Sequence, residues 1–240
     1  MTYQDIPAEL RASLMKTSAA SISTQLIRRG LRNVAIRGVR PLNPDLPPMV
    51  GPAFTLRYVP AREDLDAYSS GGDPQNIQRQ AIEVAPSGHV FVVDCRGVTD
   101  IAGIGAILGR RLLQRGLTGI VLDGGVRDTH ALAVTDMPVY CAGPSAPPNY
   151  TGHHAADMNV VISCGGVAVY PGDIIFGDCE AVVVIPRHLA EEIAADTVEM
   201  ERRERFLFAQ IEEGNSINGV YPPSEETLHR YAIACEHGLA

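Results

Sequence analysis

The residues best suited to chemistry follow an apolar run, where the chain reads LDGGVRDTH over positions 122–130. The two glycines let the backbone turn out of a strand, and they place Arg127 and Asp128 at its carboxyl end, where open α/β sheets bind ligands. Arg127 can form a forked pair with a carboxylate, and Asp128 can be a hard oxygen ligand to a divalent cation such as magnesium. The alternative is an Arg–Asp surface pair that caps the next helix.

His130 closes this motif and falls in the first turn of a predicted helix. An imidazole is the commonest general base in enzymes, so His130 is a candidate for that role. A histidine at such a position is also commonly just exposed to solvent. Residue type alone leaves both interpretations open.

A second motif, GIGAILG over 103–109, resembles the glycine-rich fingerprint of dinucleotide-binding proteins. In that fold the glycines directly follow a strand, whereas here CRGVTDIA separates them from the apolar run HVFVVD. A nicotinamide site is therefore not expected. The motif still predicts a helix start, whose free amides and positive dipole end favour a bound carboxylate or phosphate. Close packing of the helix on a sheet is the alternative use of the glycines.

Composition limits the class of partner. The 240-residue chain has a formal net charge of -8, and its longest basic clusters are the pairs Arg28-Arg29 and Arg110-Arg111, so nucleic acid is not an expected partner. No signal peptide and no apolar stretch of membrane length is recognisable, so we expect a cytoplasmic protein without a membrane partner. The five cysteines show no metal-ligand or disulfide spacing.

Periodicity predicts alternating helices and strands from residue 77 to 142, which is typical of an α/β layer with partly parallel strands. The predicted elements are a helix over 7–29 with a break near Thr17-Ser18, a strand FTLRYV, helices over 77–85, 104–115 and 129–134, and strands over 89–94, 118–123 and 138–142. Beyond Pro144, four short apolar runs favour antiparallel hairpins. A long amphipathic helix over 187–214 and a last helix over 224–238 follow.

Several motifs in the same order carry a resemblance to a known family. They are GPAFTLR, a glycine-rich GxxxILG helix start, GxxGIVLDGGVRD and GGVAVYPGDIIFGDCEAVVVIP. The chain resembles, from about Ser21 to Glu199, the RraA-like family, which includes the class II 4-hydroxy-4-methyl-2-oxoglutarate and 4-carboxy-4-hydroxy-2-oxoadipate aldolases.

The resemblance implies a swivelling β/β/α fold, similar to the phosphohistidine domain. The sequence shows no clear linker and no repeat, which predicts one domain over 1–240 with an N-terminal helical extension and C-terminal helices over 187–240, and the resemblance covers a core of about 21–199. The resemblance also implies a homotrimer or a hexamer formed by two trimers, with the site between subunits.

For the site, the resemblance implies that Arg127 holds the carboxylate of a pyruvate group and that Asp128 binds Mg²⁺ or Mn²⁺. Backbone amides of the glycine-rich helix start, at Ile107 and Leu108 after Gly105, would also hold the pyruvate group. The implied substrate is a small 2-oxo acid, and the implied reaction is aldol cleavage or decarboxylation through a pyruvate enolate.

The chain departs from the aldolase pattern at two acidic positions, which are Ala106 and Ala131 here. In the family those acids are thought to organise a water that acts as base. Within the chain, the missing acids could be replaced by Asp100, Asp123 or His130. A neighbouring subunit could instead supply Glu191 or Glu199. The loss favours decarboxylation of oxaloacetate, which needs no base for a hydroxyl proton, or a sugar-acid substrate.

A non-enzymatic regulator is the alternative function. The family members that bind and inhibit ribonuclease E lack the aspartate after the arginine, so the presence of Asp128 favours a metal site. The distal half of a substrate would be read by loops over 61–76 and 146–154, with Arg62, Tyr150, His153 and His154 as candidate contacts. Polar loop residues are also commonly just solvated.

Overall fold

The structure is a computed structural model that describes residues 5–66, 73 and 75–237. The helices are α1 (Ala8–Leu14), α2 (Ala19–Arg28), α3 (Ile77–Val84), α4 (Ala106–Gln114), α5 (Thr129–Ala133), α6 (Ala190–Glu212), α7 (Ile217–Val220) and α8 (Glu225–Glu236). Short 3-10 helices span Asn149–Thr151 and Arg187–Leu189. The strands are β1 (Ala35–Ile36), β2 (Arg40–Pro41), β3 (Met49–Pro60), β4 (Val90–Asp94), β5 (Ala102–Ile104), β6 (Gly119–Leu122), β7 (Gly125–Val126), β8 (Val139–Cys141), β9 (Gly143–Pro144), β10 (His153–Met158), β11 (Ile162–Cys164), β12 (Val167–Val169), β13 (Ile174–Gly177) and β14 (Val182–Ile185).

The main sheet is mixed. Its order across the described residues is β1-β14-β13-β3-β4-β6-β8-β2, and β10 also pairs with β3. The central strands β3, β4, β6 and β8 run parallel to one another, whereas β13 and β14 pair antiparallel. The parallel strands thus lie at the centre of the sheet and the antiparallel hairpins at its side. Periodicity predicted partly parallel strands for residues 77–142 and antiparallel hairpins beyond Pro144. The α/β fold class is therefore confirmed.

The central strands are apolar along their whole length because the sheet is covered on both faces. Every residue of β4 and of β6 is buried. Side chains from α3, α4 and α5, including Ile82, Leu112 and Leu132, pack on one face. The hairpin β11–β12 packs on the other, through residues such as Ile162 and Val169.

The terminal helices form a third layer against β13 and β14. Helices α1 and α2 pack on α6, and their buried residues surround Phe176 and Ile185. The predicted break in the first helix is confirmed, since Ser18 caps α2 by accepting from the Ser21 amide. The carboxylate of Glu201 in α6 also accepts from the Ser18 and Ser21 hydroxyls. The helical extensions at both ends are thus confirmed. Hydrogen bonds from Ser18 and Ser21 to Glu201 join them to each other.

Two parts of the prediction were wrong in detail. The segment expected as a loop over 146–154 ends in a strand, β10, which pairs antiparallel with β3 from His153 opposite Pro60. Polar residues such as His154 and Asp157 give β10 no apolar alternation, so its pattern does not predict a strand. The helix expected from 104 begins at Ala106, because Ala102–Ile104 forms the short strand β5. In the loop expected over 61–76, residues 67–72 and 74 lie outside the described residues.

No helix among the described residues is long and apolar enough to cross a membrane. All five cysteines are free thiols. Burial raises the pKa of the Cys95 and Cys164 thiols well above the usual range. These two side chains therefore behave as small apolar core residues, as the scattered spacing indicated.

Candidate functional site

A small parallel sheet, β5-β7-β9, assembles the candidate site. Ala102 pairs with Gly125, and Gly125 pairs with Gly143. Because the carboxyl ends of parallel strands lie at one edge, the chain leaves all three strands on the same side. The glycine-rich helix start follows β5, and the Arg127–Asp128 pair follows β7. The two motifs identified separately in the sequence therefore meet in space.

Gly125 is required for this close approach. A Cβ at Gly125 would lie 2.6 Å from the Ser145 Cβ and 2.7 Å from the Thr99 carbonyl oxygen. The Arg127 amide then donates to the Ile104 carbonyl at 3.0 Å, which fixes the start of the next turn beside β5. The Arg127 side chain is exposed, and its guanidinium has no hydrogen-bond or ion-pair partner within the part of the chain described.

Asp128 has a left-handed backbone, with φ 57° and ψ 41°. Its side chain makes no capping bond to α5, although it stands at the N-cap position of that helix. Instead its Oδ2 accepts from the Ala106 amide of α4 at 3.3 Å. The surface Arg–Asp pair considered from the sequence does not form. The Asp128 carboxylate faces the glycine-rich helix start, and its Oδ1 has no partner among the described residues.

Helix α4 begins with free amides. Gly105 is its N-cap in an extended conformation and offers no side chain to cap them. The first bond of the helix runs from the Gly109 amide to the Gly105 carbonyl, so the amides of Ile107 and Leu108 precede it. Ile107 is 84% exposed. Gly109 also serves the packing role, because a Cβ there would lie 2.5 Å from Leu132 Cδ2.

A buried hydrogen-bond network supports β5 from behind. The Gly103 carbonyl accepts from the Tyr58 hydroxyl at 2.9 Å and from Gln78 Nε2 at 2.8 Å. Asn149 Nδ2 donates to Gln78 Oε1 at 2.9 Å. Burial raises the pKa of Tyr58 well above its usual range, so its hydroxyl stays a donor. Sequence reasoning missed this network, because its members stand 20 to 91 positions apart and form no local motif.

Arg127 borders a cleft of about 620 Å³. Leu108 of α4 also lines it, as do residues of α3, β10 and the Asn149–Thr151 helix. Four residues were expected to contact the distal half of a substrate. Three of them, Tyr150, His153 and His154, line this cleft. Arg62 does not line it and instead pairs with Asp64 at 2.6 Å.

The two histidines of this cleft differ in environment. His153 is 1% exposed and stacks on Tyr58 with ring centroids 4.8 Å apart. Burial, with the charge of Arg96, lowers the pKa of His153 to about 4, so its ring is neutral near pH 7. His154 is more exposed and pairs through Nδ1 with Asp66 at 2.8 Å. His154 is thus the one of the two that a ligand can reach directly.

Arg127 also borders a second, shallower cleft of about 450 Å³. Asp128, Thr129, His130 and Ser145 line it. His130 is exposed and lies in the first turn of α5. The structure therefore brings His130 into the same cleft as Asp128.

Four other candidate acids lie outside the two clefts that Arg127 borders, and one of them, Glu191, is exposed in the first turn of α6. Asp123 lines a third cleft with Asp94 and Arg96, and accepts from the Cys95 amide at 2.6 Å. Burial raises the pKa of Asp123, although the backbone amides that it accepts from oppose the shift. Asp100 is exposed on the loop before β5, and its charge acts on His153. Glu199 of α6 accepts from the Tyr231 hydroxyl at 2.7 Å.

Both positions where acids are missing are close to the motif. Ala106 donates its amide to Asp128, and the Ala131 carbonyl accepts from Arg110 at 3.4 Å. Within the described ranges, no group of three or more His, Cys, Asp or Glu side chains is suited to hold a metal ion. Asp128 is the carboxylate that follows Arg127 directly and accepts from the first amide of α4.

Comparison with known sequences gives a family match. A sequence model of the RraA-like family, described as Aldolase/RraA, matches residues 19–184. "Putative 4-hydroxy-4-methyl-2-oxoglutarate aldolase" of Halalkalibacterium halodurans is 33% identical over 165 residues, which are 68% of this chain and 71% of that protein. Protein DlpA of Legionella pneumophila is 27% identical over 213 residues. The match covers 89% of this chain but spans 33% of the length of DlpA.

Comparison with solved structures gives the same fold. Streptomyces coelicolor RraAS2, described as an unusual member of the RNase ES inhibitor RraA protein family, superposes with a TM-score of 0.76 at 28% identity. The superposition covers 85% of this chain and 98% of RraAS2. An uncharacterised protein from Pseudomonas syringae superposes with a TM-score of 0.77 at 24% identity, over 91% of this chain and 100% of that one. The likeness to the phosphohistidine domain stays a prediction.

Proposed function

Because the chain belongs to the RraA-like, Aldolase/RraA family, we propose that it is a divalent-metal-dependent lyase of small 2-oxo acids. The reaction is aldol cleavage or decarboxylation through a pyruvate enolate. The observation that carries the proposal is the meeting of Arg127, Asp128 and the free amides of α4 at one edge of β5-β7-β9. The name "Putative 4-hydroxy-4-methyl-2-oxoglutarate aldolase", which the H. halodurans relative carries, is consistent with a lyase.

The donor set beside Arg127 fits Mg²⁺ or Mn²⁺ as an open site. Asp128 offers one carboxylate oxygen without a partner in the described chain, and magnesium is commonly held by one or two carboxylates together with substrate and water. Asp128 would hold the cation. A bound cation of this kind supplies Lewis-acid polarisation of the 2-oxo group.

Arg127 and helix α4 would orient the substrate. The guanidinium can hold the substrate carboxylate by a forked pair, and the amides of Ile107 and Leu108 after Gly105 add donors at the positive end of the helix. These groups fix the plane of the 2-oxo acid before the carbon–carbon bond breaks. Fixed orientation of a reacting group lowers the activation barrier because less motion is lost in the transition state.

Aldol cleavage additionally requires a base for the hydroxyl proton. His130 is the titratable side chain beside Asp128 in the shallow cleft, so it takes this role in the proposal. Asp123 and Asp100 line neither of the two clefts that Arg127 borders. Decarboxylation of oxaloacetate does not need the base, so it is the reaction least affected by Ala106 and Ala131.

A regulatory protein without turnover is the second candidate. The alanines at 106 and 131 favour it, because they remove two carboxylates beside the motif. The description of S. coelicolor RraAS2 as a member of an RNase inhibitor family is consistent with such a role for a chain of this fold. In that case Asp128 would have no catalytic task, and a protein partner would replace the 2-oxo acid.

The test is pyruvate release from oxaloacetate and from 4-hydroxy-4-methyl-2-oxoglutarate, with Mg²⁺ or Mn²⁺ and with a chelator. We expect turnover that the chelator abolishes. Arg127→Lys keeps the charge but not the fork, so it should weaken binding of the 2-oxo acid at least about tenfold. Arg28→Lys, an exposed exchange on α2, is the matched control. Absence of metal-dependent turnover, together with unchanged binding in Arg127→Lys, would leave the regulator as the better description.

A further inference from the structure

Arg79, at the start of α3, lines the same cleft as Arg127. We propose that Arg79 is the specificity-determining residue of this cleft and binds a second carboxylate at the distal end of the 2-oxo acid. The inference rests on the proposed function, since it needs Arg127 to hold the first carboxylate. It goes further because it assigns recognition of the second carboxylate to Arg79 on α3.

The Arg79 guanidinium has no ion-pair partner in the described part of the chain. Six arginines of the described chain pair with carboxylates; for instance, Arg111 pairs with Glu83 at 2.6 Å and Arg29 with Asp196 at 2.5 Å. Among the described residues, Arg79 has no such carboxylate within 4.0 Å. The neighbouring residues 67–72 and 74, outside the described ranges, contain no acidic residue in the sequence.

The position of Arg79 within α3 is locally unfavourable for a cation. Asn76 caps the helix by accepting from the Arg79 amide at 3.2 Å, so Arg79 is the third residue of the first turn. That turn contains no acid, although the helix dipole favours acids there and disfavours cations. Local rules are commonly broken where a residue serves a ligand. An anion beside Arg79 would satisfy both the guanidinium and the positive helix end.

The other charged groups of the cleft leave room for such an anion. Asp66 is already engaged, because it accepts from His154 Nδ1 at 2.8 Å and from the Arg62 amide at 2.9 Å. Asp73 is exposed, and its Oδ1 accepts from the Gln75 amide at 2.8 Å. Gln78 and Asn149, which also line the cleft, are neutral and bond to each other at 2.9 Å.

The two arginines therefore suit a ligand with an anion at each end. Arg127 follows β7 and Arg79 lies on α3, so the two guanidinium groups reach the cleft from different elements. A cleft of about 620 Å³ is within the range of small-molecule sites. A 2-oxo dicarboxylate places its second carboxylate away from the reacting carbon, where a guanidinium can read it by a forked pair.

A matched ligand pair tests the assignment. The compounds 2-oxoglutarate and 2-oxopentanoate have the same five-carbon chain and differ in the second carboxylate. Calorimetry with Mg²⁺ present should show that the wild-type protein binds 2-oxoglutarate at least about tenfold more tightly. Arg79→Gln should remove this preference and leave 2-oxopentanoate binding within about twofold. Glutamine is compatible with the third helical position, so the fold should be retained.

Two further variants sharpen the test. Arg79→Lys keeps the charge without the fork, so its preference should fall between wild type and Arg79→Gln. Arg28→Gln removes an exposed charge on α2 and should bind both ligands as wild type does. If Arg79→Gln weakens both ligands equally, or the wild type does not discriminate, the inference is wrong while the proposed function stands. If neither 2-oxo acid binds the wild type, the proposed function itself fails.

Discussion

The carboxylate of Asp128 lies against the first amide of helix α4, where its Oδ2 accepts from Ala106 at 3.3 Å. This contact joins two segments that are 22 positions apart in the sequence. It places the candidate cation ligand beside the amides that would hold a substrate carboxylate. A change of charge at residue 128 therefore acts on both halves of the candidate site.

Replacing Asp128 by asparagine tests the cation ligand. Asparagine tolerates the left-handed backbone at this position, so Asp128→Asn should fold normally. Its amide lacks the negative charge, and we expect the affinity for Mn²⁺ in the presence of pyruvate to fall at least about tenfold. Electron paramagnetic resonance of free Mn²⁺ measures this binding directly. Asp45→Asn, at an exposed position outside both clefts, is the control, and equal affinities in the two variants would refute the role of Asp128.

Replacing Gly125 by alanine tests the close approach of β7. The new Cβ would meet the Ser145 side chain and two backbone carbonyls, of Thr99 and Ile101, at 2.6 to 2.9 Å. Overpacking of this kind should lower the free energy of unfolding by about 1–3 kcal/mol, measured by urea denaturation. Gly105→Ala meets the flexible end of Asp128 at 3.2 Å and should have a smaller effect. If Gly125→Ala lost less free energy of unfolding than Gly105→Ala, the explanation by close packing at Gly125 would be contradicted.

Replacing Tyr58 by phenylalanine tests the buried network. The variant removes one of the two donors to the Gly103 carbonyl and leaves Gln78 as the other. We expect a loss of about 1–2 kcal/mol in the free energy of unfolding, because the hydroxyl is fully buried. Tyr170→Phe alters a ring that is 56% exposed and should change stability by less than about 0.5 kcal/mol. Equal effects in the two variants would mean that the network adds no stability.

The buried imidazole of His153 predicts a pH dependence of stability. Its pKa is lowered to about 4 in the folded protein, first by burial and then by Arg96, whereas an unfolded histidine has a pKa of about 6.5. Below about pH 6.5 the unfolded chain takes up a proton that the fold excludes. His153 therefore lowers stability as pH falls from about 6.5 to about 4, by at most about 1.4 kcal/mol per pH unit.

Urea denaturation at about pH 7.5 and about pH 5 measures this effect. His153→Gln cannot take up the proton, so it should lose less stability than wild type between the two pH values. His229→Gln, at an exposed position of α8, should follow the wild type. An identical pH dependence in His153→Gln and wild type would show that His153 does not titrate differently in the two states.

The sequence was sufficient for the central sheet and in part for the charged motif. Runs such as HVFVVD and TGIVLD predict buried strands because parallel strands covered on both faces are apolar throughout. The glycines of LDGGVRD predicted that Arg127 and Asp128 would follow the strand TGIVLD directly, whereas the two-residue strand β7, which includes Gly125, comes between them. The sequence also predicted the helix boundary at Ser18, because a serine N-cap is recognisable from the local sequence.

The sequence was insufficient where the partner is distant. Strand β10 is polar at His154 and Asp157, and its pairing with β3 decides its conformation. The strand β7 has two residues, which is too short for any periodicity. Asp123 looked like a neighbour of Arg127 because four positions separate them, yet its carboxylate accepts from amides in two other loops, at Cys95 and Gly165. Tertiary hydrogen bonds of this kind leave no pattern in the chain.

Strand β3 has a consequence for the dynamics of the protein. It pairs with β13 through Met49–Pro52, with β4 through Ala53–Arg57, and with β10 through Leu56–Pro60. Its hydrogen bonds are therefore shared among three neighbouring strands, and every residue from Met49 to Leu56 is buried. Hydrogen exchange at the centre of β3 should proceed only through global unfolding, so this strand reports the stability of the whole chain.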